Sequence, residues 1–202
     1  MVAIIDYDAG NIKSVEKAFQ YLGEDTIVTR KESEIYGADH VVLPGVGAFG
    51  DAMAKLNKYG LVDVIKTVTS KEVPFIGICL GQQLLFDSSE ESEGVAGLGI
   101  LRGQIKKIPD NAGELKIPQI GWNSLSFPSK GRLFKEIPED SYVYFVHSYY
   151  LHADDREIVK ATTDYGTLID ASVEKGNIFA CQFHPEKSSE VGMQILRNFL
   201  KV

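Results

Sequence analysis

Three short runs without a polar residue mark the first eighty positions: Val2–Ile5, Val41-Val42-Leu43 and Phe75-Ile76-Gly77-Ile78. A strand with one wet face alternates apolar and polar residues, whereas these runs require burial on both faces. The segments between them have a helical period. The stretch from Asn11 carries Ile12, Val15, Ala18, Phe19 and Leu22 on one side, and residues 52–56 and 61–68 read as further helices. Strand–helix alternation of this kind predicts an α/β fold: a mostly parallel, open sheet flanked by helices on both faces.

Beyond about residue 94 the texture changes. Residues 97–103 and 117–127 are rich in Gly, Pro and β-formers, residues 142–150 are aromatic and β-prone, and residues 178–183 read as another strand. These segments predict an additional antiparallel strand region, and residues 192–200 a closing amphipathic helix. Without a linker, repeat or low-complexity stretch, residues 1–202 read as a single domain.

Charge narrows the partners. A net charge of −7 without a Lys/Arg-rich run argues against nucleic acid or an anionic membrane surface. No apolar run approaches the ~18–20 residues that span a bilayer. The opening Met1-Val2-Ala3-Ile4-Ile5-Asp6 lacks the basic and small-residue pattern of a signal peptide. Two cysteines, Cys79 and Cys181, are too few for a disulfide framework, so a reducing, cytoplasmic setting is expected.

Gly77-Ile78-Cys79-Leu80-Gly81 joins an apolar strand to a helical segment at residues 80–86. Glycines two residues either side of a nucleophile permit a sharp strand-to-helix turn, the nucleophile elbow. Such a turn exposes the side chain, frees the next backbone N–H for an oxyanion, and sets the sulfur at a helix start, where thiolate is favoured. The bland alternative is a buried structural cysteine. In Gln182-Phe183-His184-Pro185-Glu186, His184 and Glu186 lie two apart just past a strand, where the carboxylate can orient the imidazole; the alternative is a surface turn. Pro44-Gly45-Val46-Gly47 follows a strand and can point N–H groups into the crevice where open α/β sheets bind ligands. A plain turn would look similar, and no Walker or dinucleotide pattern follows it.

Together, Pro44-Gly45-x-Gly47, Gly77-x-Cys79-x-Gly81-x-Gln83 and His184-Pro185-Glu186 resemble the class I (triad) glutamine amidotransferases, in that family's order and over nearly the whole chain. Finer motifs are similar to the branch that serves as the glutaminase subunit of imidazole glycerol phosphate synthase. They are Asp6-Tyr7-x-x-Gly10-Asn11-x-x-Ser14-Val15, Phe49 after the glycine turn, Ile120-Gly121-Trp122-Asn123, residues 144–149, and Lys187-Ser188 after the His-Pro-Glu.

The resemblance implies that Cys79 attacks the side-chain amide of L-glutamine. His184 would act as acid and then base, oriented by Glu186, and the backbone N–H groups of Val46 and Leu80 would form the oxyanion hole. Gly47, Gln83, Glu91, Ser148 and Tyr149 match substrate-holding positions, although Glu91 also sits in an acidic run that reads as a solvated face. Asn11, Trp122, Tyr144 and Lys187 match the face that docks on a cyclase subunit, the expected heterodimer partner. Neither cofactor nor metal is expected. Val46 lies between two glycines, so its peptide plane can turn at little steric cost and switch the oxyanion hole. Ala9 departs from residues common at that loop position, His40 and His152 match nothing, and Cys181 reads as packed strand. Other readings remain at this stage: an amidotransferase serving another acceptor enzyme, a cysteine peptidase on a related sheet, and a non-catalytic module that kept the fold.

Overall fold

The computed structural model describes residues 1–110, 113 and 115–202. Its elements run β1 (Val2–Ile5), α1 (Ile12–Tyr21), β2 (Thr26–Thr29), α2 (Glu32–Tyr36), β3 (His40–Leu43), α3 (Phe49–Lys58), α4 (Leu61–Ser70), β4 (Phe75–Ile78), α5 (Leu80–Leu84) and β5 (Ser88–Ser89). Then follow β6 (Gly103–Lys107), β7 (Gln119–Ser124), β8 (Tyr142–His147), β9 (Tyr149–Ala153), β10 (Val159–Asp164), β11 (Leu168–Lys175), β12 (Ile178–Cys181) and α6 (Ser189–Phe199).

The three apolar runs become β1, β3 and β4, neighbours in a seven-stranded sheet of order β10-β11-β12-β4-β3-β1-β2. Five of the strands, from β12 to β2, run parallel, and β10 and β11 are antiparallel additions at one edge. Successive residues of β1 enter opposite faces. Ala3 and Ile5 join a core with α2 to α5, while Val2 and Ile4 join one with α1 and α6. A fully buried side chain of this kind contributes roughly 1.5–3 kcal/mol, so burial on both faces is what makes these runs uninterrupted.

Register decides where the site lies. Leu43 pairs with Gly77, and Ile78 pairs with Cys181. The carboxyl ends of β3, β4 and β12 are therefore level and adjacent, and the segments leaving them carry Pro44–Gly47, Cys79 and Gln182–Glu186 respectively.

One expectation is corrected. Residues 97–103 are not a strand, apart from Gly103 at the start of β6. They fold back over the end of α5, where Leu98 N–H donates to Leu84 O (2.8 Å) and Ile100 and Leu101 donate to Leu85 O (2.9 and 3.0 Å). Those carbonyls have no partner within the helix, and the backbone of this segment supplies one. The aromatic stretch 142–150 is two strands. β8 pairs with β7 and β9 pairs with β6, so the chain changes sheets at Ser148.

Gly81 tests the register directly. A Cβ there would lie 1.9 Å from Leu43 O, a backbone atom of a central strand that cannot give way. Gly81→Ala should lower the midpoint of chemical denaturation by an amount equivalent to about 1–3 kcal/mol or more. An unchanged midpoint would mean that β3 and the elbow are not packed in this way.

Candidate active site

Cys79 stands between β4 and α5 with φ 56° and ψ −111°, a region that L-residues avoid. Two features hold it there. Its N–H donates to Cys181 O (2.8 Å), extending the β4–β12 pairing by one residue. Glycine at 77 and 81 then lets the turn close, since a Cβ on Gly77 would sit 2.6 Å from Gly81 O. Leu80 is the first residue of α5, so its N–H has no intrahelical acceptor and is available to an anion beside the sulfur. Cys79 is buried, with Sγ 3.8 Å from Val146 O and 3.7 Å from Gln182 Nε2.

His184 and Glu186 are delivered by the turn that follows β12. His184 N–H donates to Tyr144 O (2.9 Å), and its carbonyl accepts from Ser188 Oγ (2.6 Å), which in turn accepts from Tyr144 N–H (3.0 Å). Glu186 Oε1 lies 2.9 Å from His184 Nδ1. A carboxylate oxygen accepts, so Nδ1 carries the proton and Nε2 is left for Cys79. Both side chains are almost wholly buried. Burial pulls the His184 pKa down, but hydrogen bonds to Cys79 and Glu186 outweigh it and raise it to about 10. The Asn11 amide also donates to Glu186 Oε1 (2.7 Å), from a residue with left-handed backbone (φ 67°) at the start of α1. Asn11 thus braces the carboxylate, in addition to any docking role.

The Cys79 sulfur and the His184 imidazole meet at one cleft of about 310 Å³, near the lower end for small-molecule sites. Cys79 and His184 line it, as do Val46, Gly47, Leu80, Gln83, Glu91, Ser148, Tyr149 and Lys187, so every expected oxyanion and substrate residue meets there. Glu91 is no solvated bystander, because one of its oxygens accepts from Phe49 N–H (2.7 Å) at the start of α3. Gln83 Nε2 donates to Tyr149 O (3.0 Å) and Gln182 Oε1 (2.9 Å). Both its N–H groups are thereby engaged, and only its carbonyl oxygen can serve a ligand.

Trp122 and Tyr144 lie outside the cleft, opposite each other on β7 and β8, with rings edge-to-face at 5.9 Å. With Ile120 and Tyr142 they form an exposed apolar face: Ile120 is 62% exposed, Trp122 50% and Tyr142 58%. Three contributors carry no sequence signal of their own. Gln182 stands out in the sequence only as part of a motif. Ser188 reads as a family marker, yet it ties β8 to the His184 turn. His147 is buried between Tyr149 O and the Gln119 side chain (2.9 Å each), and burial drives its pKa down to about 4, leaving a neutral ring. Of the residues that match nothing, His40 packs edge-on against Phe199 and His152 is exposed on β9, while Cys181 is buried in β12 as its packed-strand reading expects.

Comparison with known proteins places the chain in a family. The family model for glutamine amidotransferase class-I matches residues 3–202. "Imidazole glycerol phosphate synthase subunit HisH" of Moorella thermoacetica is 51% identical over 198 residues, covering 98% of this chain and 93% of the relative. The protein of the same name from Chlorobaculum tepidum is 48% identical, covering 98% of each. Among solved structures, a crystal structure of a glutamine amidotransferase superposes with TM-score 0.76 at 19% identity, covering 100% of this chain and 98% of that one. The glutaminase domain of Trypanosoma brucei CTPS with bound acivicin superposes with TM-score 0.66 at 16% identity, covering 99% and 93%. At those identities the two structures speak for the fold alone. The chain belongs to the class I glutamine amidotransferase family.

Proposed function

We propose that the cleft hydrolyses L-glutamine through Cys79, His184 and Glu186, and that the ammonia goes to a cyclase subunit docked beside it. The chain is the glutaminase subunit of imidazole glycerol phosphate synthase, an enzyme of histidine biosynthesis. The observation that carries the residue assignment is the Glu186–His184 pair beside a strained, helix-start Cys79, with His184 and Cys79 lining one small cleft.

The steps follow from the geometry. A His184 whose pKa is raised to about 10 is an imidazolium at neutral pH, which favours a thiolate on Cys79. The thiolate attacks the side-chain amide carbon, and the oxyanion is held by Leu80 N–H with Val46 N–H across the cleft. Each such donor is worth about 2.7–4 kcal/mol of barrier. His184 gives its proton to the departing ammonia, leaving a thioester, then takes one from the water that releases glutamate. Gly47, Gln83, Glu91, Ser148 and Tyr149 surround the remaining length of the substrate, with Gln83 accepting through its oxygen.

The exposed face of β7 and β8 suits a partner, because contiguous exposed aromatics are what interfaces select. Trp122 and Tyr144, with Lys187 and Asn11 near the cleft, form the proposed cyclase-docking surface. The cell compartment proposed is the cytoplasm, and among the described residues no helix is long and apolar enough to cross a membrane.

Four outcomes test this reading. A glutamine-mimicking diazoketone should add its mass to the Cys79 peptide and leave the fully buried Cys181 untouched. In complex with the cyclase, Cys79→Ala should abolish glutamine-dependent synthesis and retain synthesis from ammonium salt; loss of both would mean that Cys79 only supports folding or docking. In Glu186→Gln the His184 imidazole, followed by NMR, should titrate at lower pH than in the wild type. With the raised pKa, stabilisation from the ion pair is complete below the ordinary value of about 6.5 and fades as pH rises through about 10; the Gln variant should lose it earlier, and coincident titrations would remove Glu186 from the triad. Trp122→Ala should weaken cyclase binding by about 2 kcal/mol in calorimetry, and unchanged affinity would move the interface elsewhere.

A further inference from the structure

Besides His184, a second side chain reaches the Cys79 sulfur. Gln182 Nε2 lies 3.7 Å from Sγ, and Gln182 is fully buried. It is not part of the cleft lining, so it approaches the sulfur from the core and leaves the cleft side open to substrate.

The orientation of the Gln182 amide is fixed by its neighbours. A backbone carbonyl only accepts, so the group of Gln83 placed 3.0 Å from Tyr149 O is its NH₂. The second N–H of that NH₂ meets Gln182 Oε1 at 2.9 Å. With the oxygen engaged there, the NH₂ of Gln182 is the end turned to sulfur. Reversing this amide would set two nitrogens against each other at 2.9 Å and aim a carbonyl dipole at Cys79.

The groups facing Sγ leave little else to hold a negative charge. From the end of β1, Tyr7 is buried, which raises its pKa, and its hydroxyl donates to Pro44 O (2.9 Å). From β12, Cys181 is held as a thiol by burial. His147, in the same cleft, is neutral, Glu186 is occupied by His184 and Asn11, and Glu91 and Lys187 line the cleft wall. From β8, Val146 O sits 3.8 Å from the sulfur, and a carbonyl there favours the thiol. Against that oxygen stand the His184 imidazolium, the helix-start N–H groups and the Gln182 amide, with the Lys187 ammonium on the cleft wall.

We propose that Gln182 is a catalytic residue of the glutaminase reaction, its Nε2–H donating to the Cys79 thiolate and holding it ionised before attack. Gln83 is then a positioning residue for Gln182 as well as a substrate contact. The proposal rests on the assignment of Cys79 as nucleophile. A hydrogen bond made to the charged form stabilises that form. Removing it lowers the fraction of thiolate at neutral pH by more than it raises intrinsic nucleophilicity, because reactivity follows thiol basicity with a slope below one.

The test is the pH dependence of Cys79 alkylation by iodoacetamide, with the site identified by mass spectrometry, in wild type, Gln182→Met and Gln182→Glu. Met keeps length without a donor, and Glu keeps shape but turns an oxygen towards the sulfur. The alkylation midpoint should rise by about one pH unit in Met and further in Glu, with alkylation at pH 7 up to about threefold slower in Met once the gain in intrinsic nucleophilicity is counted. In the cyclase complex, kcat for glutamine should fall in parallel while KM stays within about twofold and ammonia-dependent synthesis is retained. A midpoint unmoved in variants that keep ammonia-dependent synthesis overturns the proposal. Should both variants misfold, the wild type decides. The Gln182 side-chain amide resonances should shift with the titration of Cys79 and be flat with pH in Cys79→Ala, and an unresponsive amide in the wild type overturns the proposal as well. Full glutamine turnover after Cys79 is alkylated would overturn the nucleophile assignment itself, a result separable from an unmoved midpoint.

Discussion

The level ends of β3, β4 and β12 are the constraint on which the rest depends. Because Leu43 pairs with Gly77 and Ile78 with Cys181, three chain segments leave the sheet side by side at one edge. The turn at Cys79 can form only if α5 starts directly against β3, which is why Gly81 touches Leu43 O. Holding a non-glycine residue at φ 56° costs roughly 1–3 kcal/mol. A central strand buried on both faces supplies more than that through its apolar side chains alone. The strain persists because the sheet, which is rigid, offers the turn no alternative.

Three histidines in this chain show how partners outweigh burial. His40 and His147 are both pushed towards neutrality by desolvation, His147 as far as about 4. His184 is as buried as His147, yet its pKa moves the other way, to about 10. The difference lies in two neighbours, Cys79 and a Glu186 carboxylate whose Oε1 is also held by Asn11. A buried carboxylate with few hydrogen bonds is costly by itself, and Glu186 Oε2 has no partner among the described residues. An imidazolium 2.9 Å away offsets that cost, so each ion makes the other tolerable. The pair is thereby tuned to hold a proton at neutral pH, as the proposed acid step needs.

Legibility in the sequence followed local signals. The buried strands announced themselves as uninterrupted apolar runs, and Cys79, His184 and Glu186 as residues at strand ends flanked by turn formers. What escaped were elements whose pattern is broken by polar residues with tertiary partners. β11 carries Asp170 and Ser172, both buried: Asp170 binds Arg156 through both oxygens, one bond being 2.7 Å from Oδ1 to Nη2, and Ser172 Oγ donates to Ala180 O (2.7 Å). An alternation scan reads such residues as surface. β2 is only partly buried and has little hydrophobic pattern to offer. Gln182 escaped for a related reason. Its meaning lies in Gln83 and Cys79, about a hundred positions away in sequence, and nothing local distinguishes it from a packed strand-end amide.

The break at Ser148 joins the two halves of the proposed function in one strand. β8 presents Tyr142 and Tyr144 on its outer face, next to Ile120 and Trp122 of β7. Its backbone, on the same six residues, accepts from His184 N–H at Tyr144 and meets the Cys79 sulfur at Val146. Val143, Phe145 and His147 anchor the opposite face in the interior. A strand held this way moves as a unit, since its buried face fixes the register and a shift of one residue would expose all three anchors. A partner docked on the aromatic face, as proposed, would act on the carbonyls that face His184 and Cys79 through this one strand. Such coupling works only through differential affinity for two positions of β8. The free energy available is then bounded by what the docking face gains in one position over the other.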